Sequence, residues 1–288
     1  MWMLEGLTVA LVTPFNKNLT VNYKKIGELI EFHYENNTDC LLILGTTAET
    51  PTLSEHEKDQ IVEYVIKKNN KRMKIMVGVT SNSTAIACKK GKKYEELGAD
   101  YLLVISPFYN KTNDEGLILH FTTIANAVKI PIILYNIPGR TGINISSEIM
   151  KKLKVIHNII GVKEASTDIK HILDVAFICD DNFKLYCGND DMAILYHGLN
   201  VDRYISVYGN INPSFFKNLM KMNLEDACLY FYKHYDLLKN LFIDTNPIPI
   251  KTLMNYLNFN IGWFRLPLTN MNDFKKQKLI NSYLETIK

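Results

Sequence analysis

The chain has 288 residues, 47% of them apolar and 22% charged, enough to bury a large core in one or two domains. Its 33 basic and 30 acidic side chains leave a net charge of +3, too even a balance to suggest a nucleic-acid partner. No apolar run approaches the ~20 residues that cross a bilayer, and the first residues lack a basic-then-apolar leader pattern, so a soluble cytoplasmic protein with no membrane partner is expected.

Short apolar runs alternate with helical stretches along the chain. The strand candidates are Leu7–Val12, Cys40–Leu44, Lys74–Val79, Tyr101–Ile105, Pro131–Tyr135, Ile159–Lys163, Phe183–Cys187 and Tyr204–Val207. Each is nearly all apolar rather than alternating, as strands buried on both faces of a parallel sheet are. Between them, Ser54 and Glu57 form a capping box ahead of an Ile61, Tyr64, Val65 stripe. Gly98 fits a helix stop after Leu97. Asp39, Asp100 and Asp202 each stand at or just before the start of an apolar strand, a weak self-similarity that suits repeated βα units. Eight strands, seven intervening helices and one after them predict a (β/α)8 TIM barrel over residues 1–222, with a doubly wound sheet as the alternative. Residues 223–288 contain no convincing strand and predict a C-terminal helical appendage, which Asn246-Pro247-Ile248-Pro249 divides into at least two pieces. The five cysteines have no C-x-x-C spacing and read as reduced thiols.

In a barrel of this kind the chemistry sits at the C-terminal strand ends. Those ends bring Gly45-Thr46-Thr47-Ala48-Glu49, Pro107-Phe108-Tyr109-Asn110, Tyr135 with the loop carrying Arg140, Lys163-Glu164, Gly188-Asn189-Asp190 and Tyr208-Gly209-Asn210 toward one mouth. No His, Cys and carboxylate cluster has metal-ligand spacing, so neither metal nor cofactor is expected. Lys163 closes an apolar strand. A lysine amine attacks a ketone only when neutral, and an apolar surrounding disfavours its charged form. Making an imine also needs protons carried to and from the carbinolamine oxygen. Tyr135, ending the preceding strand, suits that role, with Thr46 and Tyr109 continuing a hydroxyl relay. Read singly, a strand-end lysine is a surface residue and the tyrosines are packing groups; it is their combination that favours chemistry. For an acid substrate, the Gly45-Thr46-Thr47 turn offers backbone N–H groups and a hydroxyl, and Arg140 offers a planar fork.

Together these residues resemble the dihydrodipicolinate synthase family of Schiff-base aldolase-like enzymes. The resemblance runs through GTTAET (45–50), SPFYN (106–110), YNIPGRTG (135–142), GVKEAS (161–166), GND (188–190), ISVYGN (205–210) and NPIPIK (246–251). It implies a lyase that condenses pyruvate, held on Lys163, with L-aspartate-4-semialdehyde. By position, Tyr135 is implied as proton shuttle, with Thr46 and a neighbouring subunit's Tyr109 completing the relay. Thr46 and Thr47 are implied to hold the pyruvate carboxylate, and Arg140 the semialdehyde carboxylate or the loop around it. The carbonyls of Gly188 and Ile205 are implied to line the pocket. The family resemblance further implies a homotetramer, built as a dimer of dimers.

Several positions depart from the pattern. Ala48 stands where glycine is usual, which puts a left-handed backbone there in doubt; Asn200 and Arg203 stand where glycines are frequent and are expected to bear on stability. At the feedback site that the resemblance implies, Lys58, Ile86 and Phe108 replace a histidine, an acid and a tyrosine. An apolar Ile86 cannot pair with an ammonium, so weak or absent inhibition by L-lysine is expected. Two other readings stay open: another pyruvate-dependent aldolase of the same family, such as N-acetylneuraminate lyase or a keto-deoxy sugar-acid aldolase, and a non-catalytic barrel scaffold.

Overall fold

Eight parallel strands close on one another in strict chain order, each paired with the next and β8 paired back to β1. In the computed structural model, which describes residues 4–288, they are β1 Gly6–Ala10, β2 Cys40–Ile43, β3 Lys74–Val79, β4 Tyr101–Ile105, β5 Ile132–Asn136, β6 Ile159–Glu164, β7 Lys184–Cys187 and β8 Arg203–Ser206. The helices are α1 Tyr23–Glu35, α2 Glu55–Asn69, α3 Thr84–Leu97, α4 Asp114–Ala127, α5 Pro138–Thr141, α6 Ser147–Leu153, α7 Ile169–Ile178, α8 Ala193–Gly198, α9 Pro213–Leu219, α10 Leu224–Asn240, α11 Ile248–Tyr256 and α12 Asp273–Thr286. The barrel read from the sequence is therefore the architecture found. The strand-to-helix count differs by one, because the Pro138-to-Thr141 stretch, read as loop, forms a helical turn. Pro138 supplies a preset φ at its first position, and Gly142 ends it at φ 68°.

Period-two alternation sorts the side chains into two layers. Tyr101, Leu103, Ile105, Ile133, Tyr135, Ile160 and Tyr186 fill the barrel interior. Leu102, Val104, Ile132, Leu134 and Val162 point outward into the layer under the helices. Both faces are dry, which is why the strands are apolar throughout; each such aliphatic chain contributes about 1.5–3 kcal/mol by its burial.

Local signals behave as their chemistry requires. Ser54 Oγ accepts from Glu57 N at 3.2 Å and Glu57 Oε2 accepts from Ser54 N at 2.9 Å, completing the capping box. Gly98 caps α3 at φ 102°. Asp39 and Asp100 accept the N–H groups of Leu7 and Ile75 at 2.8 and 2.9 Å, so each aspartate satisfies a backbone donor of the neighbouring strand at the barrel's base. Asn200 takes the left-handed conformation itself, at φ 57°, a conformation that asparagine tolerates. Arg203 pairs with Glu5 at 2.7 Å at the same end.

The C-terminal helices fold back onto the barrel mouth. Gly262 is required where it stands, since it lies at φ 86° and a Cβ there would fall 1.8 Å from the Phe15 carbonyl oxygen; Phe15 N donates to the Ile261 carbonyl at 3.1 Å. Lys251, fully buried, donates to Glu49 Oε1 at 2.6 Å and to the carbonyls of Trp263 and Thr13 at 2.7 and 3.1 Å. Burial lowers the Lys251 pKa and the Glu49 carboxylate beside it opposes that shift. Arg265 adds a bidentate pair with Glu57, with Nη1 to Oε2 at 2.9 Å, and donates its own N–H to Glu49 at 3.2 Å. These bonds fix the turn after β2 from behind.

Candidate active site

A cavity of about 440 Å³ opens at the C-terminal end of the barrel, lined by Thr46, Thr47, Tyr135, Arg140, Lys163 and Gly188 among others. The register of β5 and β6 places Tyr135 directly beside Lys163. Both are inward positions, 6% and 5% exposed, and Lys163 Nζ lies 4.5 Å from the centre of the Tyr135 ring. Glu164, one residue on, must face outward. It is fully buried there, accepting from Asn136 Nδ2 at 2.9 Å and Ser166 N at 2.7 Å. His171 Nε2 stands 3.2 Å from Glu164, and this carboxylate raises the His171 pKa. The cluster packs β6 to α7 and fixes the backbone from which Lys163 projects.

Across the mouth, β2 ends where Leu44 turns to φ 54°, and Thr46–Ala48 form a 3-10 turn. The N–H groups of Thr46 and Thr47 open that turn, so they have no acceptor within it. Thr47 is buried and its hydroxyl accepts from Asn246 Nδ2 at 3.0 Å. The conformational question raised at Ala48 resolves one residue later: Ala48 sits inside the turn and Glu49 takes the left-handed conformation, at φ 54°. Gly188 belongs to a close approach of two strands, since a Cβ would lie 2.6 Å from the Glu164 carbonyl. Beside it, burial pushes the Asp190 carboxyl up to about 6 against the opposing donors Tyr208 N and Val207 N.

Arg140, on α5, is exposed at the rim and donates through Nη2 to the Asn246 carbonyl at 3.0 Å. A second, apolar cavity of about 380 Å³ adjoins the first and shares Thr46, Leu103, Tyr135, Arg140, Thr245 and Asn246 with it. The Ile205 side chain is buried in the barrel interior beneath the cavity, and Val207 provides the lining side chain from that segment; only the Ile205 carbonyl was expected at the pocket. Tyr109 is 92% exposed on the loop after β4 and does not reach the cavity of its own chain. It is held out at φ 69° by neighbours that brace each other: Asn82 Nδ2 donates to the Phe108 carbonyl at 3.3 Å and Asn110 Nδ2 to the Asn82 carbonyl at 3.0 Å. Among the described residues no hydrogen bond joins the Tyr135 and Thr46 hydroxyls.

Sequence reasoning missed Asn246, Thr245 and Asp244, which reach the cavity from the segment between α10 and α11. The NPIPIK motif marked the place, but no local pattern ties it to a loop 199 residues earlier. At the position implied for feedback, Lys58 and Lys90 share Glu55 Oε1 at 2.8 and 3.1 Å, and Ile86 is half exposed. Among the described residues no group of three or more His, Cys, Asp or Glu is placed to hold a metal, and no helix is long and apolar enough to cross a membrane. All five cysteines are free.

Residues 3–285 match the model of the dihydrodipicolinate synthetase family. A 4-hydroxy-tetrahydrodipicolinate synthase of Brachyspira hyodysenteriae is 40% identical over 290 residues, spanning 98% of this chain and 99% of that one. Dihydrodipicolinate synthase from Aquifex aeolicus superposes with a TM-score of 0.93 at 38% identity, over 98% of each chain. The chloride-inhibited dihydrodipicolinate synthase from Acinetobacter baumannii, complexed with pyruvate, superposes at 0.95 with 34% identity over 99% of each.

Proposed function

The chain belongs to the dihydrodipicolinate synthetase family, and from that premise we infer that its reaction runs through an imine on Lys163. Its activity is that of a 4-hydroxy-tetrahydrodipicolinate synthase, a lyase of the diaminopimelate route to lysine. The observation that carries the imine reading is a buried lysine, 5% exposed, at the C-terminal end of β6 with a tyrosine in cross-strand register.

In this reading the neutral Lys163 amine attacks C2 of pyruvate. Tyr135 passes a proton to the carbinolamine oxygen, which leaves as water, and the imine forms. Loss of a C3 proton gives the enamine. That carbon attacks the aldehyde of L-aspartate-4-semialdehyde, and the substrate amine displaces Lys163 as the ring closes. Thr46 and Thr47 receive the pyruvate carboxylate through backbone N–H groups and a hydroxyl, and Arg140 receives the second carboxylate at the rim. Gly188 and the β8 backbone at Ile205 shape the floor. The exposed, braced Tyr109 and the apolar cavity beside Tyr135 support a relay completed by a neighbouring copy; family membership is the ground for reading the assembly as a homotetramer in the cytoplasm. Mixing Lys163→Ala and Tyr109→Phe homomers tests the sharing: activity returns on subunit exchange if the site is shared, and stays absent if each chain is self-sufficient.

Borohydride reduction with pyruvate, followed by peptide mapping, tests the central step. One adduct is expected, on Lys163, and none in Lys163→Ala. An adduct on any other lysine overturns the assignment.

A further inference from the structure

The segment between α10 and α11 is bonded at one residue to both groups assigned to substrate carboxylates. Asn246 Nδ2 donates to Thr47 Oγ1 at 3.0 Å, and the Asn246 carbonyl accepts from Arg140 Nη2 at 3.0 Å. Those partners lie 199 and 106 residues away in the chain. Asn246 also lines both cavities. Its amide oxygen is buried with no donor among the described residues, so the donor end, rather than full satisfaction of the amide, is what its placement secures.

A threonine hydroxyl has one proton and two lone pairs. A donor fixed on the oxygen occupies a lone pair and leaves the proton to be given elsewhere. Thr47 is buried, so the open direction is the cavity that it lines. On the other side, one N–H of the Arg140 fork is spent on a backbone carbonyl, which fixes the fork and leaves its remaining donors for an anion. We propose that Asn246 is a positioning residue: its side chain aims the Thr47 hydroxyl at the carboxylate of the keto acid, while its backbone holds Arg140 for the carboxylate of the second substrate. The proposal rests on the assignment of Thr47 and Arg140 given above.

The two arms separate in one variant. Asn246→Ala removes the amide and keeps the carbonyl. It is expected to raise the pyruvate KM, and the pyruvate concentration for half-maximal borohydride trapping on Lys163, about tenfold, the size of one hydrogen bond to a charged group. The KM for the semialdehyde should move less than twofold. Thr47→Val alone should weaken pyruvate by a similar factor, and Asn246→Ala added to Thr47→Val should weaken it no further. If Asn246→Ala does not fold, the isosteric Asn246→Asp carries the test. It replaces the donor by an acceptor, draws the Thr47 proton away from the cavity, and should weaken pyruvate at least tenfold. Equal changes in both KM values, or multiplicative effects of the Thr47 and Asn246 changes, overturn the proposal. Loss of the Lys163 adduct in the unaltered protein would instead overturn the imine reading, so the two failures are distinguishable.

Discussion

Lys251→Met tests how much of the site depends on the pin between Glu49 and the C-terminal helices. Lys251 and Glu49 are both fully buried in their side chains and 2.6 Å apart. Removing the lysine leaves a buried carboxylate without its cation, a change that costs about 3–5 kcal/mol. The Thr13 and Trp263 carbonyls also lose their donor, and one left unpaired adds about 1–3 kcal/mol. A loss of about 4–8 kcal/mol is expected, against a net stability of about 5–15 kcal/mol for proteins in general. Glu49→Gln with Lys251→Met removes both charges, and should regain about 2 kcal/mol relative to Lys251→Met alone, since an absent pair is better tolerated than a broken one. Urea unfolding of the three variants measures this, with pyruvate-dependent borohydride trapping recorded alongside. Because Glu49 anchors the turn that carries Thr46 and Thr47, trapping should weaken with stability in the single variant. A loss under about 1 kcal/mol, or a double variant no more stable than the single, refutes the reasoning.

Tyr135→Phe should keep the fold and slow turnover by about 10²–10⁴-fold, and near-normal turnover would remove Tyr135 from the proton path. Activity assayed across millimolar L-lysine should change little, because Ile86 offers no charge to an ammonium and Glu55 is already shared by Lys58 and Lys90; clear inhibition counts against this. Arg265 holds the Glu57 carboxyl down to about 2, so this pair stabilises the fold above the ordinary carboxylate range and its contribution fades as pH falls from about 4.5 toward 2. Glu57→Gln should therefore lower stability by about 1–2 kcal/mol at pH 7, discounted for partial exposure, and by little near pH 2; a pH-independent difference would contradict the linkage.

The barrel was legible because its strands are dry on both faces, and an uninterrupted apolar run as short as Ile132-Ile133-Leu134 fits a doubly buried strand better than an amphipathic helix. Lys163 and Tyr135 were legible for a related reason, being polar residues that end such runs. The loop reading at Pro138–Thr141 failed because four residues carry too little periodicity to register, although the flanking Pro138 and Gly142 are helix punctuation. Asn246, Lys251 and Arg265 were opaque because their partners are set by how the last quarter of the chain docks. Nothing local distinguishes a lysine bound for Glu49 from one bound for water. Tyr109 shows the converse: its motif was recognisable, yet the fold of its own chain leaves it exposed and outside the cavity.

The closing of the mouth by its own tail has a temporal meaning. A chain growing on the ribosome exposes all eight strands before residues 246, 251 and 265 have been made. Such an intermediate contains Lys163 but lacks the brace behind Thr47 and the pin on Glu49. The turn that carries Thr46 and Thr47 is thus fully braced only once the final stretch of the chain has been made.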